Sequence, residues 1–98
     1  MTQTCRIGTV ATTVRRRPHE TTVTYHDTDV VTVYPNGKIV LDSGGWRTAT
    51  TRTRMNQASH ELHLGFEVYQ RNFNWYVAID GHVLDFTDGI VIRNGSDF

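Results

Sequence analysis

The chain has one cysteine, one lysine, two prolines and no formal net charge across its 98 residues. Each scarcity excludes something. A lone Cys5 rules out an intramolecular disulfide and a thiolate zinc cluster, and it suits a reducing compartment. No apolar run approaches the roughly 20 residues that a helix needs to cross a bilayer. No signal-peptide pattern opens the chain either, so the expected location is the cytoplasm, with no membrane partner. Neutrality removes any global attraction to nucleic acid. The length allows one core, so residues 1–98 are expected to form a single domain.

Catalytic and cofactor signatures are missing too. There is no phosphate loop, no nucleophile elbow and no dinucleotide fingerprint. Ser43-Gly44-Gly45 is glycine-rich but lacks the lysine of a phosphate loop, and reads as a sharp bend. His60-Glu61-Leu62-His63 places its histidines three apart, where the helical zinc motif needs four, and no third ligand is evident. No catalytic residue, metal or cofactor is therefore expected.

What is present is a pattern of strands interrupted once. Cys5–Val14 and Thr21–Tyr25 read as strands joined by a polar turn, Arg15 to Glu20. Threonine, β-branched and suited to a half-buried pleat, dominates this half. Val30–Tyr34 and Lys38–Leu41 form a hairpin around Pro35-Asn36-Gly37, with Gly37 suited to a positive-φ bulge. Met55, Ala58 and Leu62 then share one helical face, which predicts a helix over residues 50–63. Thr48, Thr50 or Thr51 is the expected N-cap, and Gly65 the stop. Beyond it, Phe66 and Val68 alternate with polar residues. Arg71-Asn72 reads as a turn, and Phe73, Trp75, Val77 and Ile79 read as one core-facing row. Asp80-Gly81 is a hairpin signal, followed by strands over residues 82–86 and 90–92. The expected fold is α+β: a mainly antiparallel β-sheet meander with one central helix packed on one face.

Charge is unevenly spread. Residues 1–60 carry eight arginines and lysines against four carboxylates, and residues 61–98 carry two against six. Arginine outnumbers lysine nine to one. Its planar fork suits carboxylate or phosphate.

The segment Trp46–Asn56 concentrates this chemistry. Trp46, Arg47, Thr50, Thr51, Arg52, Arg54 and Asn56 fall where a strand gives way to a helix. Free helix amides, hydroxyls and guanidinium forks there favour an anionic ligand, with Trp46 available for stacking. The plainer reading is a well-capped helix with a solvated basic face. Arg15, Arg16 and Arg17 at a turn tip are secondary candidates for phosphate or an acidic protein surface. His26, beside Asp27 and Asp29, is a candidate acid–base group. Neighbours on a strand diverge, however, and an Asp- and Thr-rich turn explains the cluster without catalysis.

Three stretches carry a resemblance. They are Tyr25-His26-x-Thr28-x-Val30-Val31, Ser43-Gly44-Gly45-Trp46-Arg47-Thr48-x-Thr50-Thr51-x-x-Arg54-Met55-Asn56, and Val68-Tyr69-Gln70-x-x-Phe73-x-Trp75-Tyr76-Val77. Together with Val83-x-x-Phe86-x-Asp88-Gly89, over residues 23–92, they resemble a family of small tailed-bacteriophage proteins that carries no assigned activity. The resemblance implies a small accessory protein made in the host cytoplasm. The favoured expectation is non-catalytic binding that modulates or inhibits a host protein, for example a defence factor. The alternatives are nucleic-acid or nucleotide binding through Trp46–Asn56, and a small nuclease using His26. A homo-oligomer is compatible with exposed strand edges.

Overall fold

A computed structural model describes residues 12–26, 28–45 and 47–93. The elements run β1 (Thr12–Arg17), β2 (Glu20–Tyr25), β3 (Thr28–Val33), β4 (Lys38–Leu41), α1 (Ala49–Glu61), β5 (Phe66–Arg71), β6 (Asn74–Ile79), β7 (His82–Asp85) and β8 (Ile90–Arg93). Among the described residues, every strand pairing is antiparallel. The architecture is the expected α+β arrangement with one helix. The strands divide into two sheets, ordered β1-β2-β3-β4-β8 and β5-β6-β7. The hairpin signals specify neighbouring pairs, but they do not say that β8 returns to β4.

Local chemistry accounts for the elements. In the β3–β4 hairpin, the Gly37 amide donates to the Tyr34 carbonyl at 3.0 Å and the Tyr34 amide to the Lys38 carbonyl at 2.9 Å. Gly37 sits at φ 89°, the bulge position for which glycine is suited. In β3, Val23 pairs with Val31 and Thr24 with Asp29, so Val30 is an extra residue. This bulge lets two consecutive valines, Val30 and Val31, both be fully buried.

The helix starts at the Thr48 N-cap, whose hydroxyl accepts from the Thr51 amide at 3.2 Å. It ends in a Schellman turn. The Leu64 amide donates to the Ser59 carbonyl at 2.8 Å and the His63 amide to the His60 carbonyl at 3.4 Å. His63, at φ 56°, holds the left-handed position expected of Gly65. Met55 and Ala58 are buried, and Leu62 packs against the same core.

One apolar cluster joins both sheets and the helix. Paired rows such as Ile39–Ile92 and Leu41–Ile90 build its floor. Trp75, Val77 and Ile79 on β6 and Phe66 and Val68 on β5 close it from the smaller sheet.

Two assignments from the sequence need correction. Arg15, Arg16 and Arg17 belong to strand β1, not to the turn, which is the two-residue Pro18-His19. Pairing of Arg17 with Glu20 extends the ladder to that point, helped by their 3.0 Å ion pair. Phe73 is not in the core row: it is 94% exposed at the β5–β6 tip. Arg71 pairs with Asn74, so the turn is Asn72-Phe73. The expected first strand falls outside the described residues up to position 11, as does Cys5.

Candidate functional site: an arginine pair on buried aromatic rings

The site lies where β4 hands over to α1. Ser43, almost fully buried, fixes the exit of β4. Its amide and hydroxyl both donate to Asp88 Oδ1, at 2.8 and 2.6 Å. The Gly44 amide donates to Asp42 Oδ1 at 2.7 Å and the Gly45 amide to Ser43 Oγ at 3.2 Å. Gly44, at φ 64°, packs so tightly on Thr28 that any Cβ would collide with its side chain. These bonds fix the direction in which the chain enters the helix.

Burial alone would raise the pKa of Asp88. The Ser43 hydroxyl and amide, the nearby Arg47 guanidinium and the Gly45 amide outweigh it and hold the carboxyl below its ordinary value. Asp88 is therefore a carboxylate at neutral pH and ties the β7–β8 connection to this junction.

Arg47 and Arg52 both approach the Trp75 ring of β6. The Arg47 Cζ lies 5.0 Å from the Phe86 ring centre and 5.6 Å from that of Trp75. The Arg52 Cζ lies 5.6 Å from the same Trp75 ring. Trp75 and Phe86 themselves meet edge to face, with centroids 5.3 Å apart. Guanidinium groups over ring faces are held by the ring quadrupole, at about 0.5–2 kcal/mol each. Arg52 Nη2 donates to Gln70 Oε1 at 3.3 Å, while its buried Nε has no hydrogen-bond partner among the described residues. Among the described residues, neither Arg47 nor Arg52 forms an ion pair. Two cations thus share one buried indole ring.

Arg54 does not join them. Two positions along a helix is a rotation of about 200°. Arg54 accordingly lies on the other flank, with its Cζ 5.6 Å from the Tyr25 ring and Nη1 donating to Gln57 Oε1 at 3.3 Å. Asn56 turns to β5, where its amide bonds both backbone groups of Val68. Thr51 is buried beside the N-cap, 3.1 Å from the Thr48 hydroxyl, and Thr50 is exposed. Trp46 lies outside the described residues. Among the described residues, the indole beside the arginines is that of Trp75, 5% exposed and contributed by β6.

The secondary candidates are elsewhere. Arg15, Arg16 and Arg17 are exposed on β1, with Arg17 paired to Glu20. His26 is exposed at φ 55°, its ring 4.4 Å from that of Tyr25. It borders a small cavity of about 110 Å³ with Thr28, Ser43, Thr48 and Thr51. No group of three metal-ligating side chains occurs among the described residues. No helix among them is long and apolar enough to cross a membrane.

Sequence reasoning did not connect Trp75, Phe86 and Gln70 to this site. The alternation along β6 marks Trp75 as core-facing. Nothing local ties position 47 or 52 to position 75, because that contact depends on how the helix meets the second sheet.

Fold and site together define a small α+β protein with two arginines stacked on buried aromatic rings, next to a loop anchored by the buried Ser43. The chain belongs to the Kyanoviridae Gp96 protein family, whose model matches residues 2–93, and it is a bacteriophage protein. The match extends over the N-terminal segment that the sequence resemblance did not cover. No curated protein and no solved structure matches the chain.

Proposed function

We propose that this phage protein is a small accessory binding protein that engages a host protein in the cytoplasm, modulating or inhibiting it through the Arg47–Arg52 pair. The observation that supports this reading is that both guanidinium groups stack on the Trp75 ring, Arg47 also on Phe86, with no ion pair within 4 Å to either among the described residues, although Asp88 lies near enough to Arg47 to feel its charge. Stacking on rings reduces the rotamer freedom of long side chains before a partner arrives, so less entropy is lost on binding. Fork-shaped donors held this way suit carboxylates, which they can take two bonds at a time.

Burial of the rings bears on the alternative of nucleotide binding here. Trp75 and Phe86 are 5% and 4% exposed beneath the arginines. Neither offers an open face on which a base could stack, so recognition at this point rests on charge and fork geometry.

The test is retention from a nuclease-treated lysate of the bacterial host, followed by purification of the retained protein and measurement of its affinity. Charge reversal at Arg47→Glu with Arg52→Glu is expected to abolish binding, since truncating one side of a desolvated charge pair costs about 2–5 kcal/mol. Reversal at Arg15→Glu with Arg17→Glu serves as the comparison and is expected to leave most of the affinity. Equal loss in both double variants would assign the effect to net charge and defeat the site assignment.

A further inference from the structure

Two hairpins of the smaller sheet turn in the same way, with different residues. The β6–β7 turn is Asp80-Gly81, at φ 52° and 81°, closed by the pair Ile79–His82. The β5–β6 turn is Asn72-Phe73, at φ 52° and 69°, closed by the pair Arg71–Asn74. Both have positive φ at both central positions, the geometry that favours asparagine or aspartate followed by glycine. The first turn follows that rule. The second breaks it with a bulky aromatic residue in the left-handed region, where only glycine is comfortable.

The ring gains nothing in the fold. Phe73 is 94% exposed, while most other aromatic side chains among the described residues are buried or partly buried. An outlier that opposes local propensity without contributing to the core is the kind of feature kept for contact with another molecule.

Its neighbours say what kind of molecule. Phe73 is two residues from Trp75, and Trp75 pairs with Gln70, which accepts from Arg52. The tip therefore belongs to the hairpin that Arg52 contacts through Gln70 and Arg47 through Trp75. Gln70, Arg71, Asn72 and Asn74 around the ring are exposed and polar, so a lipid surface would receive a single apolar group. A phosphate polymer typically engages about six to ten cations. This unit presents Arg47, Arg52 and Arg71, and the smaller sheet with its β8 connection also carries exposed Glu67, Asp80, Asp85 and Asp88. A protein partner needs only an apolar pocket with carboxylates at its rim.

We infer that Phe73 is the apolar anchor of the partner-binding surface, entering a pocket on an acidic protein face whose rim carboxylates meet Arg47 and Arg52. This rests on the reading of the arginine pair given above and extends it to the class of partner.

The test uses the full chain and Phe73→Gly, a change that restores the favoured turn residue and preserves the fold. The host protein retained by wild type is identified by mass spectrometry, purified, and titrated against wild type, Phe73→Gly and Arg47→Glu with Arg52→Glu. Phe73→Gly is expected to weaken binding about tenfold or more, as for a central hot-spot residue. A partner lost with the arginines but indifferent to Phe73→Gly overturns the anchor and leaves the arginine site standing. A partner indifferent to both sets of changes, or no partner, overturns both. In parallel, labelled single-stranded DNA and RNA oligonucleotides are titrated at physiological salt. No binding is expected, and binding that Phe73→Gly weakens would overturn the protein-partner class. A wild-type chain that self-associates, with Phe73→Gly monomeric in sedimentation velocity, would overturn it as well.

Discussion

Asn56 binds Val68 by both of its backbone groups: Nδ2 donates to the carbonyl at 2.9 Å and Oδ1 accepts from the amide at 2.7 Å. One turn further along α1, the Ser59 hydroxyl does the same for Phe66, at 2.7 and 2.9 Å. The spacing explains the match. Helix positions three apart lie on one face, and alternate strand residues point their backbone groups to one edge. The helix therefore stands in for the missing strand along the open edge of β5. It satisfies backbone groups that would otherwise template pairing with another chain.

Replacing Asn56 with alanine should unfold this edge. An unsatisfied donor or acceptor costs about 1–3 kcal/mol when buried, and two are created here, so a loss of about 2–6 kcal/mol is expected. Asn56→Asp keeps the acceptor for the Val68 amide but not the donor, and should fall between alanine and wild type. Urea unfolding curves measure both.

Phe73→Gly should stabilise the protein, by about 1 kcal/mol, because a bulky residue in the left-handed region carries a steric cost of roughly 1–2 kcal/mol that glycine avoids. The mirror experiment on the matching turn, Gly81→Ala at φ 81°, should destabilise by a similar amount. Thermal or urea midpoints of the two variants should move in opposite directions.

Gly44→Ala is expected to be far more damaging than Gly45→Ala. Both glycines have positive φ, but only at Gly44 would a Cβ strike Thr28, while Gly45 faces open space. The clash adds about 1–3 kcal/mol of overpacking to the backbone strain common to both. Truncation of the neighbour, Thr28→Ala, should recover part of the Gly44→Ala loss.

Acid should loosen the junction through Asp88. Its pKa in the folded protein lies below the ordinary carboxylate value. The stability it contributes is present above that ordinary value and is lost as pH falls through the depressed one. Stability measured from about pH 5 downwards should therefore decline less steeply in Asp88→Asn than in wild type. Because the carboxyl is largely exposed, the difference is small.

Much of this architecture is legible in the residues themselves. The helix face of Met55, Ala58 and Leu62, the Pro35-Asn36-Gly37 hairpin and the Asp80-Gly81 turn are local signals, and local signals were sufficient. Phe73 defeats the same reasoning because it continues the apolar alternation of Trp75, Val77 and Ile79 while sitting in the turn, so periodicity points inward where the backbone points out. The arginines were legible as a cluster, but their grouping was not. Helix rotation separates Arg52 from Arg54, and the tertiary approach of β6 brings Trp75 beneath Arg47 and Arg52. The double role of Asn56 was hidden for the same reason, since its partner backbone is twelve residues away.

The central claim is that Arg47 and Arg52 form one prepared carboxylate-binding pair, and side-chain NMR of the arginine Nε–H groups tests it most directly. A short triglutamate peptide added to the isotope-labelled chain should shift the Arg47 and Arg52 resonances together, with a single saturating affinity, and leave Arg54 unmoved. Shifts of similar size at Arg15, Arg16, Arg17, Arg47, Arg52 and Arg54, without saturation, would contradict it.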